Sequence, residues 1–151
     1  MKHIIFMVAI FSTIFATAQD ANSLQWFTNI EEAKSTAAEN GQNILMVFAG
    51  SDWCKPCIKF KKDILQNSNF ATQNIEKLVI LYLDFPARKK NKLPKEQTKH
   101  NETLADKYNR SGTFPKIILL NAQGEKLKTV AFEGQSVEAF TSELSSTKTD
   151  K

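Results

Sequence analysis

The sequence is poor in side chains that bind transition metals. Its 151 residues include two cysteines, Cys54 and Cys57, and two histidines, His3 and His100. A tetrahedral zinc site needs four ligands, so the single cysteine pair could form at most half of one. The sequence also lacks a glycine-rich phosphate loop and a basic stripe interleaved with aromatic residues. With a net charge of only +4, it does not indicate nucleic acid as a partner.

No apolar run is long enough to span a membrane as a helix. The longest covers residues 4–16, which is short of the roughly 20 residues that a spanning helix needs. It follows Lys2 and His3 and ends in the A-x-A site 16–18, so we interpret residues 1–18 as a cleaved signal peptide, with a retained membrane anchor as the less favoured alternative. Because no cysteine lies near the cleavage point, a lipoprotein is excluded. The mature protein is expected to be exported, to the periplasm or beyond, as one domain over residues 19–151.

The two cysteines form a C-x-x-C pair between a predicted strand, 44–48, and a predicted helix. Side chains three positions apart on a first helical turn share a face and can form a disulfide. The helix dipole and Lys55 are expected to stabilise a thiolate at Cys54, which would be the exposed nucleophile, with Cys57 as the resolving thiol. Pro56 suits a first turn, where its missing N–H has no intrahelical partner. Half of a zinc site, an inert structural disulfide and a buried unreactive thiol pair are the alternatives.

Hydrophobic periodicity and turn residues predict alternating helices and strands along the mature chain. The predicted elements are a helix opened by a capping box at 28–31 and ended at 40–41, a buried strand 43–48, the C-x-x-C loop with a helix to about 66, a short helix or turn at 70–77, a buried strand 78–83, a loop 84–99, a helix 102–109, a strand 116–120, a hairpin turn 121–124, a strand 125–132, a helix containing Val137, Phe140 and Leu144, and a polar tail from about 145.

This order of elements, together with the Gly-Ser-Asp-Trp-Cys-x-x-Cys loop at 50–57, resembles the thioredoxin superfamily over residues 23–144. The tripeptide Thr113-Phe114-Pro115 is similar to the cis-proline loop of that family. The resemblance implies an α/β thioredoxin-like fold, with a central mixed sheet of four to five strands and helices on both faces. It also implies a cis bond at Pro115, backbone pairing of a substrate strand by Thr113 and Phe114, and no cofactor beyond the Cys54–Cys57 disulfide.

One position departs from the family pattern. Thioredoxins proper have an acidic residue six positions before the first cysteine, where this chain has Phe48. Proton transfer at Cys57 is then expected to use water, Asp52 or another group. Asp52 is interpreted mainly as a loop-capping or solvated carboxylate, with a proton relay as the alternative. Trp53 is expected to form an apolar wall that meets the substrate, a role compatible with partial packing.

Three further features carry weaker signals. The segment 88–95 contains five cations and is interpreted as a solvated, mobile insertion, with steering of acidic partners as the alternative. His100 is expected to be an exposed residue at a helix start. Trp26, far from the cysteines in sequence, is expected in the core.

The predicted signal peptide and the resemblance together imply an exported, monomeric protein-disulfide oxidoreductase that acts on substrate proteins with disulfides or thiols. The Lys-Pro dipeptide between the cysteines shares its proline with the Gly-Pro of reducing thioredoxins and lacks the histidine of strongly oxidising relatives. We therefore expect a reductase that is recharged by a membrane thiol electron donor. The alternatives are a disulfide oxidase or isomerase, and a non-catalytic module that binds a partner or Cu(I) through the two thiolates.

Overall fold

The computed structural model describes residues 23–146, and the predicted signal peptide and the end of the polar tail lie outside this range. Five strands form one mixed sheet in the order β1-β3-β2-β4-β5. Their bounds are β1 Trp26–Phe27, β2 Asn43–Ala49, β3 Leu78–Asp84, β4 Lys116–Leu120 and β5 Lys126–Val130. β1 and β2 run parallel to β3, whereas β4 pairs antiparallel with both β2 and β5. The predicted mixed sheet is confirmed.

Five helices cover the two faces of this sheet. They are α1 Ile30–Asn40, α2 Lys55–Phe60, α3 Ser68–Asn74, α4 Lys95–Tyr108 and α5 Val137–Ser145. A π-helical turn, Lys61–Leu65, extends α2, and a 3₁₀ turn, Lys89–Asn91, lies between β3 and α4. The predicted placement of helices on both faces of the sheet is confirmed.

The central strands β2 and β3 are buried on both faces, which explains their nearly unbroken apolar sequences. Alternate residues of β2 enter two different cores. Leu45 and Val47 pack in the core that contains both cysteines, α3 and α5, whereas Ile44 and Met46 pack against α1 and α4. The sheet therefore separates the core behind the cysteines from a second core on its other face.

The start of α1 differs from the sequence prediction. The capping residue is Asn29 and not Thr28, because the Asn29 side chain accepts hydrogen bonds from the N–H groups of Glu31 and Glu32. The predicted helix end is confirmed, since Gly41 adopts a left-handed conformation with φ 67°. A cap shifted by one residue leaves the body of the helix unchanged.

The predicted environments of two side chains, Trp26 and His100, are wrong. Trp26 is 40% exposed, because it lies on the edge strand β1 and packs its ring against Tyr82 at 5.8 Å between centroids. His100 is half-buried in the second turn of α4, which begins at Lys95 instead of near 102. Its Nε2 accepts a 3.2 Å hydrogen bond from the Ile30 N–H, and His100 therefore joins α4 to the start of α1.

Among residues 23–146, no helix is long and apolar enough to cross a membrane.

Candidate active site

Cys54 and Cys57 form a disulfide at the start of α2, with their Cα atoms 5.3 Å apart. Cys54 is the capping residue of this helix, and its Sγ accepts a 3.2 Å hydrogen bond from the Cys57 N–H. Pro56 lies in the first helical turn, where its missing N–H costs no hydrogen bond. The sulfur of Cys54 therefore lies at the positive end of the helix, where a thiolate is stabilised.

The prediction that Cys54 is exposed is wrong for the disulfide form. Its exposed fraction is 4%, against 1% for Cys57, and both residues belong to the core between the sheet and α2. The order of the two is as predicted, because Cys57 is the more buried of the pair. Lys55, between them, is exposed and places a cation beside the pair.

Trp53 covers Gly50 at the beginning of the active-site loop. A Cβ at position 50 would lie 2.3 Å from Cε2 of the Trp53 indole, so only glycine fits beneath this ring. The indole is 48% exposed, and its Nε1 donates a 2.7 Å hydrogen bond to the Phe85 carbonyl. Its ring meets Phe114 edge-on at 5.3 Å between centroids. Trp53 is thus both a packed residue and an accessible apolar surface, as predicted.

The loop after β2 is fixed to the end of β3. In the parallel register Ala49 lies opposite Asp84, so the loops that follow these strands meet at one edge of the sheet. Asp84 accepts hydrogen bonds from the Ser51 N–H at 2.9 Å and the Ser51 hydroxyl at 2.6 Å. The Asp84 carbonyl in turn accepts one from the Asn101 side chain of α4. These bonds hold the loop that leads into the cysteine pair.

Asp52 makes a second set of contacts to the same region. Its carboxylate accepts hydrogen bonds from the N–H groups of Ala87 and Arg88, at 2.9 and 3.0 Å, and from the Asn91 side chain at 2.8 Å. The hydrogen bond from Ala87 is the main reason that the pKa of Asp52 is lowered from its usual value. A carboxylate occupied in this way is a weak base, so the geometry favours the predicted loop-capping role over a proton relay.

The loop before β4 contains the predicted cis bond between Phe114 and Pro115. The geometry disfavours the predicted pairing role of Thr113, because Asn109 already binds both of its backbone groups. The Thr113 N–H donates to the Asn109 Oδ1 at 3.1 Å, and the Thr113 carbonyl accepts from the Asn109 Nδ2 at 2.9 Å. Within residues 23–146, the Phe114 backbone has no hydrogen-bond partner. Phe114 is therefore the position in this loop that can pair with an added strand.

A shallow cavity of about 390 Å³ lies at the start of α2, beside the cysteine pair. It is bordered by Lys55 and Pro56 at the start of α2 and by Phe132 and Gly134 in the loop before α5. Phe132 packs its ring against Phe60 of α2, at 5.0 Å between centroids. The two sequence neighbours of Cys54 thus belong to different surfaces, Trp53 to the aromatic surface with Phe114 and Lys55 to this cavity.

Phe48 lies on the far side of the sheet from the cysteines. It is fully buried in the core against α1 and α4, and its ring is 6.2 Å from that of Phe85. Its neighbours in the sheet are Leu83 and Lys116. Phe48, which takes the sequence position of the acidic residue of thioredoxins proper, therefore packs in an apolar core and contacts Phe85.

Several residues that shape the site escaped the sequence analysis, namely Asp84, Phe85, Asn91, Asn101, Asn109 and Phe132. The position of Asp84 near the site could have been predicted, since an acidic residue that ends a buried parallel strand lies at the sheet edge where the loops converge. Asn109 acts on Thr113, four positions away, and the others act through contacts with residues distant in sequence. In the part of the chain covered by the structure, no group of three or more His, Cys, Asp or Glu side chains could hold a metal ion.

The chain matches the sequence profile of the thioredoxin-like domain over residues 30–144. The chain belongs to the thioredoxin-like family. Over 126 residues it is 35% identical to the disulfide bond reductase DsbH of Chlamydia pneumoniae, covering 83% of this chain and 74% of that protein.

Solved structures of thioredoxin-like proteins superpose on the same elements. A structure of a DsbH oxidoreductase matches with a TM-score of 0.72 and 28% identity, over 87% of this chain and 90% of the other. A thioredoxin from Thermus thermophilus matches with a TM-score of 0.59 and 18% identity, over 81% and 85% of the two chains. The second likeness concerns the fold alone.

Proposed function

We propose that this protein is an exported protein-disulfide reductase in which Cys54 is the nucleophile and Cys57 the resolving thiol. The class, a thiol-disulfide oxidoreductase of the thioredoxin-like family, rests on the Cys54–Cys57 disulfide and on the likeness to DsbH. The reducing direction is supported by the name of that relative, a disulfide bond reductase. It is also supported by the Lys-Pro dipeptide between the cysteines, because this chain lacks the histidine that strongly oxidising relatives have there.

The observation that carries the assignment of roles is the position of the Cys54 sulfur. Once the disulfide is reduced, the Cys57 N–H and the start of α2 stabilise a thiolate at Cys54. Cys57 lies within the first turn and is the more buried of the two. Burial in apolar surroundings favours the neutral thiol, which suits a resolving group that reacts second.

The reaction proceeds in two exchange steps. The Cys54 thiolate attacks one sulfur of the substrate disulfide, forming a mixed disulfide and releasing the other substrate sulfur as a thiolate. Cys57 then loses its proton to water and attacks Cys54, which restores the Cys54–Cys57 disulfide and releases the second substrate thiolate. Two electrons pass to the substrate, and the released thiolates take up protons from solvent.

A substrate strand is expected to cross Cys54 along the cis-proline loop. The Phe114 backbone would pair with the strand, while the exposed indole of Trp53 and the ring of Phe114 give it an apolar surface. The cavity bordered by Pro56 and Phe132 would receive a substrate side chain at the start of α2. Asp52 would act as an anchor of the loop and not as a catalytic base.

The surrounding system follows from the same proposal. Residues 1–18 direct export to the periplasm or beyond, and the mature chain works as a monomer. The reduced Cys54/Cys57 dithiol carries the two electrons, so no further cofactor is needed. Because each turnover leaves the protein oxidised, a thiol electron donor in the membrane must reduce it again.

Reduction of insulin with dithiothreitol as electron source tests the proposed activity. We expect turnover by the wild-type protein and none by Cys54→Ser. In a separate incubation without dithiothreitol, which would cleave the product, reduced Cys57→Ser should accumulate a mixed disulfide between Cys54 and the substrate, since its resolving thiol is missing. A protein that only binds partners or Cu(I) would show no turnover. If Cys54→Ser formed the mixed disulfide through Cys57 instead, the roles of the two cysteines would be reversed.

A further inference from the structure

A second cavity, of about 350 Å³, lies against the loop that follows β3. Phe85, Pro86 and Leu93 give it an apolar lining, and the early turns of α4 close one side. The loop is well anchored on the opposite side, through the contacts of Asp52 with Ala87 and Arg88. The cavity therefore has walls defined by hydrogen bonds and packing.

Cations dominate the rim of this cavity. Arg88, Lys89 and Lys92 line it and are exposed, and within residues 23–146 none of them forms an ion pair. The acidic residues of the lining are Asp84 and Glu102. Asp84 is half-buried with both carboxylate oxygens bound by Ser51, and Asp52, which also lies near Arg88, is not part of the lining. The three exposed cations of the lining therefore exceed its two carboxylates by one charge. The cavity thus suits a ligand that combines a negative charge with apolar groups.

The cavity and the active-site loop are parts of one hydrogen-bonded unit. Trp53 donates to the Phe85 carbonyl, and Asp52 binds the N–H groups of Ala87 and Arg88. These two residues immediately precede Cys54, and Phe85 lines the cavity. The ring of Phe85 also meets Phe114 edge-on at 5.4 Å between centroids. A polypeptide lying across Trp53 would reach the cavity within a short length of chain.

We propose that this cavity selects client proteins with an acidic segment beside the cysteine to be reduced. An Asp or Glu carboxylate of the client binds among Arg88, Lys89 and Lys92, and its neighbouring side chain packs on the apolar lining. The inference rests on the proposed reductase function and names a class of substrate for it. A concave site beside the redox centre favours a polypeptide over a flat anionic membrane surface, which would need cations on a convex face.

Matched peptides and matched charge variants test this proposal. Three disulfide-linked peptides would differ only at two positions flanking the cysteine, occupied by Glu, Gln or Lys. The cavity variant is Arg88→Gln/Lys89→Gln/Lys92→Gln. The control variant, Lys77→Gln/Lys90→Gln/Lys95→Gln, removes the same charge from exposed positions outside the cavity, two of them in the same loop region. Each protein is assayed for kcat/KM with each peptide and, in its oxidised form, for peptide binding by calorimetry.

In the wild type we expect the acidic peptide to be reduced with a kcat/KM roughly tenfold above that of the neutral one at low salt. The ratio should fall towards one in the cavity variant and persist in the control variant. It should also fall in the wild type at about 1 M salt, where the Debye length is only roughly 3 Å. A control variant that loses the preference equally would mean that net charge alone acts, which would overturn the proposal.

Two further outcomes also decide against it. A wild-type ratio near one would show that the cavity reads no charge, and so would equal calorimetric affinities for the three peptides. Binding of phosphatidylglycerol vesicles that is lost in the cavity variant, without any peptide preference, would assign the cations to a membrane surface. Because calorimetry does not require turnover, acidic-peptide binding that depends on the cavity would uphold the inference even if the reductase assay failed.

Discussion

The Trp53 indole donates a 2.7 Å hydrogen bond from Nε1 to the Phe85 carbonyl. This bond joins the residue before Cys54 to the loop that follows the neighbouring parallel strand. Because the indole is also 48% exposed, it is held in place and still accessible to a substrate. The reactive sulfur is therefore positioned by contacts from outside the C-x-x-C motif.

Trp53→Phe should weaken substrate binding more than it slows the thiol–disulfide exchange step. Phenylalanine keeps an aromatic surface but loses the hydrogen bond to Phe85, which holds the ring where a substrate would meet it. Fixing the ring by that bond is worth about 1 kcal/mol, so KM for a disulfide peptide should rise by at most roughly fivefold, with a smaller change in kcat. Trp26→Phe is the control, since Trp26 is 40% exposed but packs on Tyr82 instead of Phe114. Equal effects of the two substitutions would mean that the hydrogen bond positions nothing.

Gly50→Ala should displace the indole. The new Cβ would lie 2.3 Å from Cε2 of Trp53, so the ring must move and lose its contacts with Phe85 and Phe114. We expect a loss of about 1–3 kcal/mol in the free energy of unfolding, and impaired peptide reduction. Gly50→Ala/Trp53→Ala removes the clash and should recover part of the stability without recovering turnover. Normal stability and turnover in Gly50→Ala alone would contradict the packing described here.

Asn109 should control the geometry of the cis-proline loop. Its side chain binds both backbone groups of Thr113 and is buried, with 4% of the residue exposed. Asn109→Ala is expected to cost about 1–3 kcal/mol of stability and to raise KM for peptides, because the loop that presents Phe114 loses its anchor. Asn109→Asp keeps the acceptor for the Thr113 N–H and should be intermediate in the peptide assay. A destabilised variant with an unaltered KM would limit Asn109 to a role in folding.

Tyr82 should make the protein sensitive to alkaline pH. Burial, and to a lesser degree the Asp84 carboxylate, raises the pKa of Tyr82 to about 12. The unfolded chain ionises near pH 10, so the contribution of the neutral phenol is complete below about pH 10 and is lost as the pH rises towards 12. Tyr82→Phe should show a smaller loss of stability than the wild type across this interval in denaturant titrations.

At neutral pH the same substitution separates two kinds of tyrosine. The Tyr82 hydroxyl is buried and, within residues 23–146, has no hydrogen-bond partner, so Tyr82→Phe should leave the stability equal or raise it by up to about 1 kcal/mol. The Tyr108 hydroxyl donates a 2.7 Å hydrogen bond to the Gly124 carbonyl, and Tyr108→Phe should cost about 1 kcal/mol. If Tyr82→Phe were less stable than Tyr108→Phe, the hydrogen-bonding described for both tyrosine hydroxyls would be disproved.

Local sequence signals predicted the main elements well. The apolar runs of β2 and β3 exceed what an exposed strand would carry, and Gly41 marks the end of α1 through its left-handed conformation. β1 was missed because two residues are too few to show a period. The start of α4 was missed because residues 95–101 are mostly polar, and their charges were interpreted as those of a loop.

The site was predicted only in its local parts. The cysteine pair and the cis bond at Pro115 could be read from short motifs, the latter through family resemblance. The contacts of Asp52 with Arg88 and of His100 with Ile30 join residues 36 and 70 positions apart, and no local pattern encodes such pairs. The hydrogen bonds of Asn109 to the Thr113 backbone could not be predicted for a different reason, since a side-chain amide that binds backbone groups gives no hydrophobic period in the sequence.

The reduction potential of the Cys54–Cys57 pair tests the central claim most directly. Equilibration of the mature protein with defined dithiothreitol or glutathione buffers, followed by alkylation and mass measurement, yields this value. A reductase of the proposed kind should have a potential near the roughly −270 mV of thioredoxin. A potential near the roughly −120 mV of strong oxidants would contradict the proposed direction of electron flow.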